Sequence, residues 1–92
     1  MTEHKKQWYV YIVRCRDGSL YTGITDNLEK RLETHNRGKG AKFTARRRPV
    51  VLVYTEKQPD QGTARSREMQ IKKWRRDKKV NLVEGFPRLR SG

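Results

Sequence analysis

With 92 residues the chain has room for one hydrophobic core, which excludes a multi-domain organisation, and Leu, Ile, Val and Phe number only 18, just under the roughly 20% below which a highly charged chain is usually disordered. Twenty-three Lys and Arg against ten Asp and Glu leave a net charge of +13 and a pI near 10.5, so a polyanion is the natural partner, nucleic acid ahead of anionic membrane. No stretch approaches the roughly 18 apolar residues of a membrane span and neither terminus carries a lipidation signal, so a soluble, cytoplasmic protein without membrane attachment is expected.

Residues 1–7 are expected to be flexible. Lys5-Lys6 ahead of Trp8–Val13 mimics the charged opening of a signal peptide, but those six residues are too few for its apolar segment of roughly 7–15, and a buried strand fits better. Trp8-Tyr9-Val10-Tyr11-Ile12-Val13-Arg14-Cys15 is aromatic and β-branched, Asp17-Gly18-Ser19 is a turn cluster, and Leu20-Tyr21-Thr22-Gly23-Ile24 resumes the pattern, which predicts a β-hairpin. A three-residue loop over 17–19 pairs residues whose numbers sum to 36 and puts Tyr11, Val13, Cys15, Tyr21 and Gly23 on one face. A two-residue Asp17-Gly18 loop puts Tyr11 and Tyr21 on opposite faces. Cys15 is the only cysteine, so there is no internal disulfide, and with only His4 and His35 for company it cannot build a Cys/His zinc site. It is expected to be a packing residue.

Asp26 is the expected N-cap of a helix over roughly 27–37, with Gly38 as its stop. Leu28, Leu32 and His35 fall on one stripe with Arg31 at its edge, while Glu29 and Glu33 point to water. Residues 37–48 read as a Gly-containing loop with six positive charges and one aromatic, Phe43. Val50–Tyr54, a continuous apolar run after Pro49, predicts a buried central strand. Thr63 is expected to cap a second helix through about Arg76, with Ala64, Ile71 and Trp74 in a packing stripe. Val80, Leu82 and Val83 indicate a short third helix or turn ending at Gly85, and 86–92 a loose tail. The expected class is α+β: a small three-stranded antiparallel sheet flanked by helices in ββαβα order, one domain over 8–85.

Three polar features do not fit simple packing. Glu68 sits between Ala64 and Ile71 on the apolar stripe, where a carboxylate needs a hydrogen bond, a metal or a partner such as Arg31, unless it is partly exposed. Arg31 and His35 lie one turn apart on the core-flanking edge of the first helix. A lone interior histidine is more often structural, and an arginine in a chain this basic is as readily a solvated charge. Tyr9, Tyr11 and Tyr21 lie on strands, where tyrosine is favoured in any case.

Together, Tyr11 and Tyr21 ten apart on a hairpin, Gly23 beyond, then Arg31, His35 and a distant helical Glu68 resemble the GIY-YIG nuclease superfamily, in particular its small stand-alone bacterial proteins of the YhbQ type. The half-motifs are Tyr9-Val10-Tyr11 and Tyr21-Thr22-Gly23, which depart at the leading Gly and at the middle residue and keep both tyrosines. Arg67–Trp74 is similar to the helix that carries the family's metal-binding glutamate, and the resemblance covers roughly residues 8–83. Because the family's two tyrosines share an active site, the resemblance favours the three-residue loop.

The resemblance implies a divalent-metal-dependent endonuclease that hydrolyses phosphodiester bonds of DNA, directed by DNA structure rather than sequence. One Mg²⁺ or Mn²⁺ on Glu68 suits a site with a single carboxylate. Arg31 would stabilise the phosphate's developing charge, Tyr21 would act as general base or orient the water, and Tyr11 would assist by hydrogen bonding. His35 would shuttle a proton or hold Arg31 and the phosphate, and Gly23 would leave room for the scissile backbone. Asn81 is the nearest candidate for the Asn that other members carry after the glutamate. Ile24 stands where some relatives have a Lys, so a cation that activates the base must come from elsewhere. Arg37, Lys39, Lys42, Arg46, Arg47 and Arg48, with Lys72, Lys73, Arg75, Arg76, Lys78 and Lys79, would hold the nucleic-acid backbone with little base readout. The alternative is a catalytically weak or inactive DNA- or RNA-binding module of the same fold. A third reading is a basic protein associated with RNA or the ribosome.

Overall fold

In the computed structural model, which describes residues 7–85, β1 (Trp8–Arg14) runs between β2 (Leu20–Thr25) and β3 (Val51–Gln58) in an antiparallel sheet of order β2-β1-β3. Helices α1 (Leu28–Asn36) and α2 (Lys42–Ala45) follow the hairpin, and α3 (Gln61–Lys72) and α4 (Arg76–Glu84) follow β3. The α+β class expected from the sequence is the one observed. The loop expected over 37–48 contains the single helical turn α2. The expected short third helix or turn is a nine-residue helix, α4.

The central strand is β1, not the run at 50–54. A central strand covered on both faces must be apolar at consecutive positions, and Val10, Tyr11, Ile12 and Val13 are all buried. In β3, Val51 is 53% exposed and the strand continues through the polar Thr55-Glu56-Lys57-Gln58, as an edge strand allows. One face of the sheet carries Val10, Ile12 and Tyr54 against Ala64 and Ile71 of α3 and Val83 of α4. The other carries Tyr11, Val13 and Cys15 against Val50, Leu28 and Leu32. A bulge in the β1–β3 pairing pairs Ile12 with Tyr54 but Val13 with Leu52, so Leu52 joins one cluster while Val53 and Tyr54 join the other. The ion pair Arg67–Glu56, 2.8 Å, ties α3 to β3.

The hairpin register differs from the expected one by a step that preserves the faces. Tyr11 pairs with Gly23 and Val13 with Tyr21, so paired numbers sum to 34 rather than 36, and the three-residue loop is Arg16–Gly18. Cys15 N–H donates to Ser19 C=O at 2.8 Å, Gly18 N–H donates to Cys15 C=O at 2.9 Å, and Gly18 has φ +88°, which a residue without Cβ adopts freely. Two caps also shift. Asn27, not Asp26, caps α1 by accepting from Lys30 N–H at 3.0 Å. Asp60 caps α3, with Thr63 as the reciprocal partner of a capping box rather than the cap itself. The expected flexible N-terminus lies outside the described residues apart from Gln7, and the expected loose tail 86–92 lies outside them altogether. No helix among the described residues is long and apolar enough to cross a membrane.

Candidate active site

Tyr11 and Gly23 are cross-strand partners, and a Cβ on Gly23 would come 2.5 Å from the Tyr11 hydroxyl. The missing side chain therefore lets the phenol lie across β2, so the space expected for a scissile backbone at Gly23 is filled by Tyr11. The Tyr11 hydroxyl meets Nε2 of His35 at 2.7 Å, and Nδ1 of His35 meets Thr44 Oγ1 at 2.8 Å. Thr44 Oγ1 in turn donates to the Ala41 carbonyl at 3.1 Å. Tyr11 is 2% exposed, and His35 and Thr44 are both 0% exposed, so this chain of bonds is buried throughout. A Cβ on Gly40 would run into the imidazole ring, which makes Gly40 a steric requirement for His35.

In front of this buried layer stands Tyr21, half-buried on β2 with its ring 5.3 Å from the His35 ring in edge contact and 5.9 Å from Phe43 in a stacked one. The Lys72 ammonium lies 5.6 Å over the Tyr21 ring and 3.0 Å from Glu68 Oε2. Glu68's side chain is 14% exposed at the edge of α3's packing stripe, and its partner is Lys72 rather than Arg31. The Arg31 side chain is exposed and makes no hydrogen bond or ion pair among the described residues.

Burial and neighbouring charges shift two of these groups. Burial, then the field of Tyr21, pushes the Tyr11 phenol well above the usual tyrosine range; Arg31 opposes that rise and Glu68 adds to it. Burial, then Arg31, pushes His35 down and holds it neutral. His35 thus carries no charge to a phosphate, and both its ring nitrogens are already bonded.

Of the residues singled out in the sequence, Tyr11, Tyr21, Gly23, Arg31, His35 and Glu68 come together. Asn81 is exposed on α4 and lines a surface cleft with Arg75, Arg76, Asp77 and Val80, a set that includes none of the other six. Tyr9 pairs with Thr25 and Lys57 in the sheet. Several site residues carry no signal in the sequence. Thr44 looks there like one more loop residue, Gly40 like generic loop glycine, and Lys72 like part of a basic run. Only the Lys72 spacing of four from Glu68 could have flagged it.

Among the described residues no group of three or more His, Cys, Asp or Glu converges. Glu68 is a single, partly buried carboxylate, and a hard oxygen donor of this kind fits one Mg²⁺ or Mn²⁺ that keeps most of its waters. Some of the expected backbone-holding cations are engaged: Arg37 with Glu33, Arg47 with Asp17 and the Phe43 carbonyl, Arg48 with the Ala45 and Asn36 carbonyls, Arg76 with the Gly18 carbonyl. The side chains of Lys39, Lys42, Arg46, Lys73 and Arg75 form no hydrogen bond or ion pair among the described residues.

The family described as the GIY-YIG catalytic domain matches residues 7–81. A UPF0213 protein of Staphylococcus haemolyticus is 55% identical over 76 residues, 83% of this chain and 93% of the relative. One of Clostridium perfringens is 55% identical over 75 residues, 82% of this chain and 81% of the relative. The solution NMR structure of a UPF0213 protein from Bacillus halodurans superposes with a TM-score of 0.55 at 44% identity, covering 85% of this chain and 83% of its own. That of a protein from E. faecalis superposes with a TM-score of 0.61 at 39% identity over 99% of both chains. The UPF0213 designation names no activity.

Proposed function

This chain belongs to the GIY-YIG family, whose catalytic domain matches most of its length, and on that premise we propose that it is a divalent-metal-dependent endonuclease that hydrolyses DNA phosphodiester bonds. One observation carries the reading: Tyr21 from β2, Arg31 from α1 and Glu68 from α3, distant in sequence, share one neighbourhood backed by the buried Tyr11–His35 bond. Hydrolysis needs an oriented water and compensation for charge that grows on the phosphate. Arg31, exposed and unpaired among the described residues, offers a planar fork for two phosphate oxygens. Tyr21, the more accessible of the two tyrosines, orients the water. A bound Mg²⁺ or Mn²⁺, held by Glu68 and completed by water and phosphate, would supply Lewis-acid polarisation. Lys72 puts an ammonium beside Tyr21, the place for which Ile24 offers none. Base-specific contacts are not part of the proposal, because the unengaged cations suit a backbone; discrimination between branched, nicked and single-stranded DNA then rests on shape.

The test is cleavage of branched, nicked and single-stranded DNA, and of structured RNA, in Mg²⁺ or Mn²⁺. Cutting is expected to be lost in both Glu68→Ala and Tyr21→Phe, and cutting that survives both sinks the mechanism. A second reading, a nucleic-acid-binding module without turnover, draws on the Lys72–Glu68 ion pair, which occupies the one carboxylate a metal would use. It requires salt-sensitive binding with no cleavage in any metal.

A further inference from the structure

We infer that Thr44 is a positioning residue for this site: it holds His35 as the tautomer protonated on Nδ1, which makes Nε2 the acceptor of the Tyr11 hydroxyl proton. The inference rests on the nuclease reading for its catalytic consequence but not for the tautomer. The protons follow from counting donors. The Thr44 hydroxyl donates its single proton to the Ala41 carbonyl at 3.1 Å, which also accepts from Ala45 N–H. Thr44 Oγ1 must then accept from His35 Nδ1 at 2.8 Å. A neutral imidazole has one N–H, so Nε2 carries a lone pair, and the Tyr11 hydroxyl donates to it at 2.7 Å. Burial and the nearby Arg31 both disfavour the imidazolium, in agreement with this count.

The direction of that last bond matters to the site. With its proton committed to His35, the Tyr11 oxygen has only lone pairs left, an acceptor in the neighbourhood of two donors, the Tyr21 hydroxyl and the Arg31 guanidinium. In the opposite tautomer Nε2–H would donate to Tyr11 and turn the phenolic proton outward, a donor where an acceptor is needed. Thr44 exerts this control from α2, a single turn flanked by the exposed Lys42 and Arg46.

The experiment is ¹⁵N NMR of the His35 ring in the whole chain, together with steady-state cleavage kinetics, for the unaltered protein, Thr44→Ser and Thr44→Val. The unaltered protein and Thr44→Ser should show the proton on Nδ1, with similar kcat. Thr44→Val should shift the tautomer and lower kcat between about tenfold and a hundredfold at nearly unchanged KM, the scale of a misaligned reacting group. A proton on Nε2 in the unaltered protein, or a Thr44→Val protein with native tautomer and kcat, overturns the inference. If Thr44→Val does not fold, the tautomer of the unaltered protein and the kcat of Thr44→Ser still decide. Absence of cleavage by the unaltered protein overturns the nuclease reading and Thr44's catalytic role with it, while the spectrum decides the tautomer alone.

Discussion

The Tyr11 hydroxyl and His35 Nε2, 24 residues apart in sequence, meet at 2.7 Å in a site closed to solvent. Each satisfies the other, so removing one leaves a buried polar atom without a partner, which costs about 1–3 kcal/mol. Tyr11→Phe keeps the ring's packing and is therefore expected to lower the melting temperature by at least about 4 °C in a domain of this size. Thermal unfolding followed by circular dichroism checks this; an unchanged midpoint would mean that the bond contributes nothing net.

His35 also sets a pH dependence. Its folded pKa lies below the ordinary value of 6.5, through burial first and Arg31 second, with Tyr11, Tyr21 and Thr44 as its other neighbours. The unfolded chain therefore binds a proton in a window just below pH 6.5 in which the folded protein does not, so stability rises with pH there. The contribution is complete above the unfolded pKa and declines as pH falls towards the folded one. Urea unfolding at pH 7.5, 6.5 and 5.5 should show this decline in the unaltered protein and a smaller one in His35→Gln.

Two glycines should respond in opposite ways to the same methyl group. At Gly40 a Cβ runs into the His35 ring, whereas at Gly62, in the first turn of α3, the nearest atom is Asp60 Oδ1 at 3.4 Å. Gly40→Ala is expected to destabilise the protein and abolish cleavage. Gly62→Ala should be neutral or stabilise by up to about 1 kcal/mol, because alanine loses less backbone entropy on folding. Denaturant midpoints for the pair test the contrast.

The cations divide by what they already hold. Lys39, Lys42 and Arg46 are unengaged among the described residues, whereas Arg48 bonds two backbone carbonyls. Replacing each of the first three with Ala should flatten the dependence of log affinity on log salt by about 0.9 for every duplex-DNA phosphate that is no longer neutralised. Arg48→Ala should instead lower stability. Binding titrations across a salt series, with unfolding curves alongside, separate the two classes.

Sequence pattern was enough for the three strands, helices α1 and α3 and the α+β class, but not for the turn α2 or the full length of α4, and the shared face of Tyr11 and Tyr21 came from the three-residue loop that the family resemblance favoured. Strands depend on local periodicity, and their two-residue period survives a register error of two residues: the loop is Arg16–Gly18 rather than 17–19, yet the faces are the same. Local rules failed where neighbours compete. Asp26 and Asn27 are both good caps, and the choice falls to the extended backbone at Asn27. The run at 50–54 is as apolar as a central strand, but centrality depends on which strand finds two partners, and β1 does. The candidate site was legible in its tyrosines, Arg31, His35 and Glu68 through their order along the chain. Thr44, Gly40 and Lys72 were not, because a threonine, a glycine and a lysine in basic segments have no pattern of their own. Packing between separate segments brings Thr44 to a histidine and requires Gly40 to clear its ring, and Lys72 pairs with Glu68 one helical turn away. A composition with few core residues and a large positive charge takes its meaning from that division. Fifteen of the described residues are buried, enough to clamp one sheet between helices, and the unengaged cations remain outside to meet a polyanion.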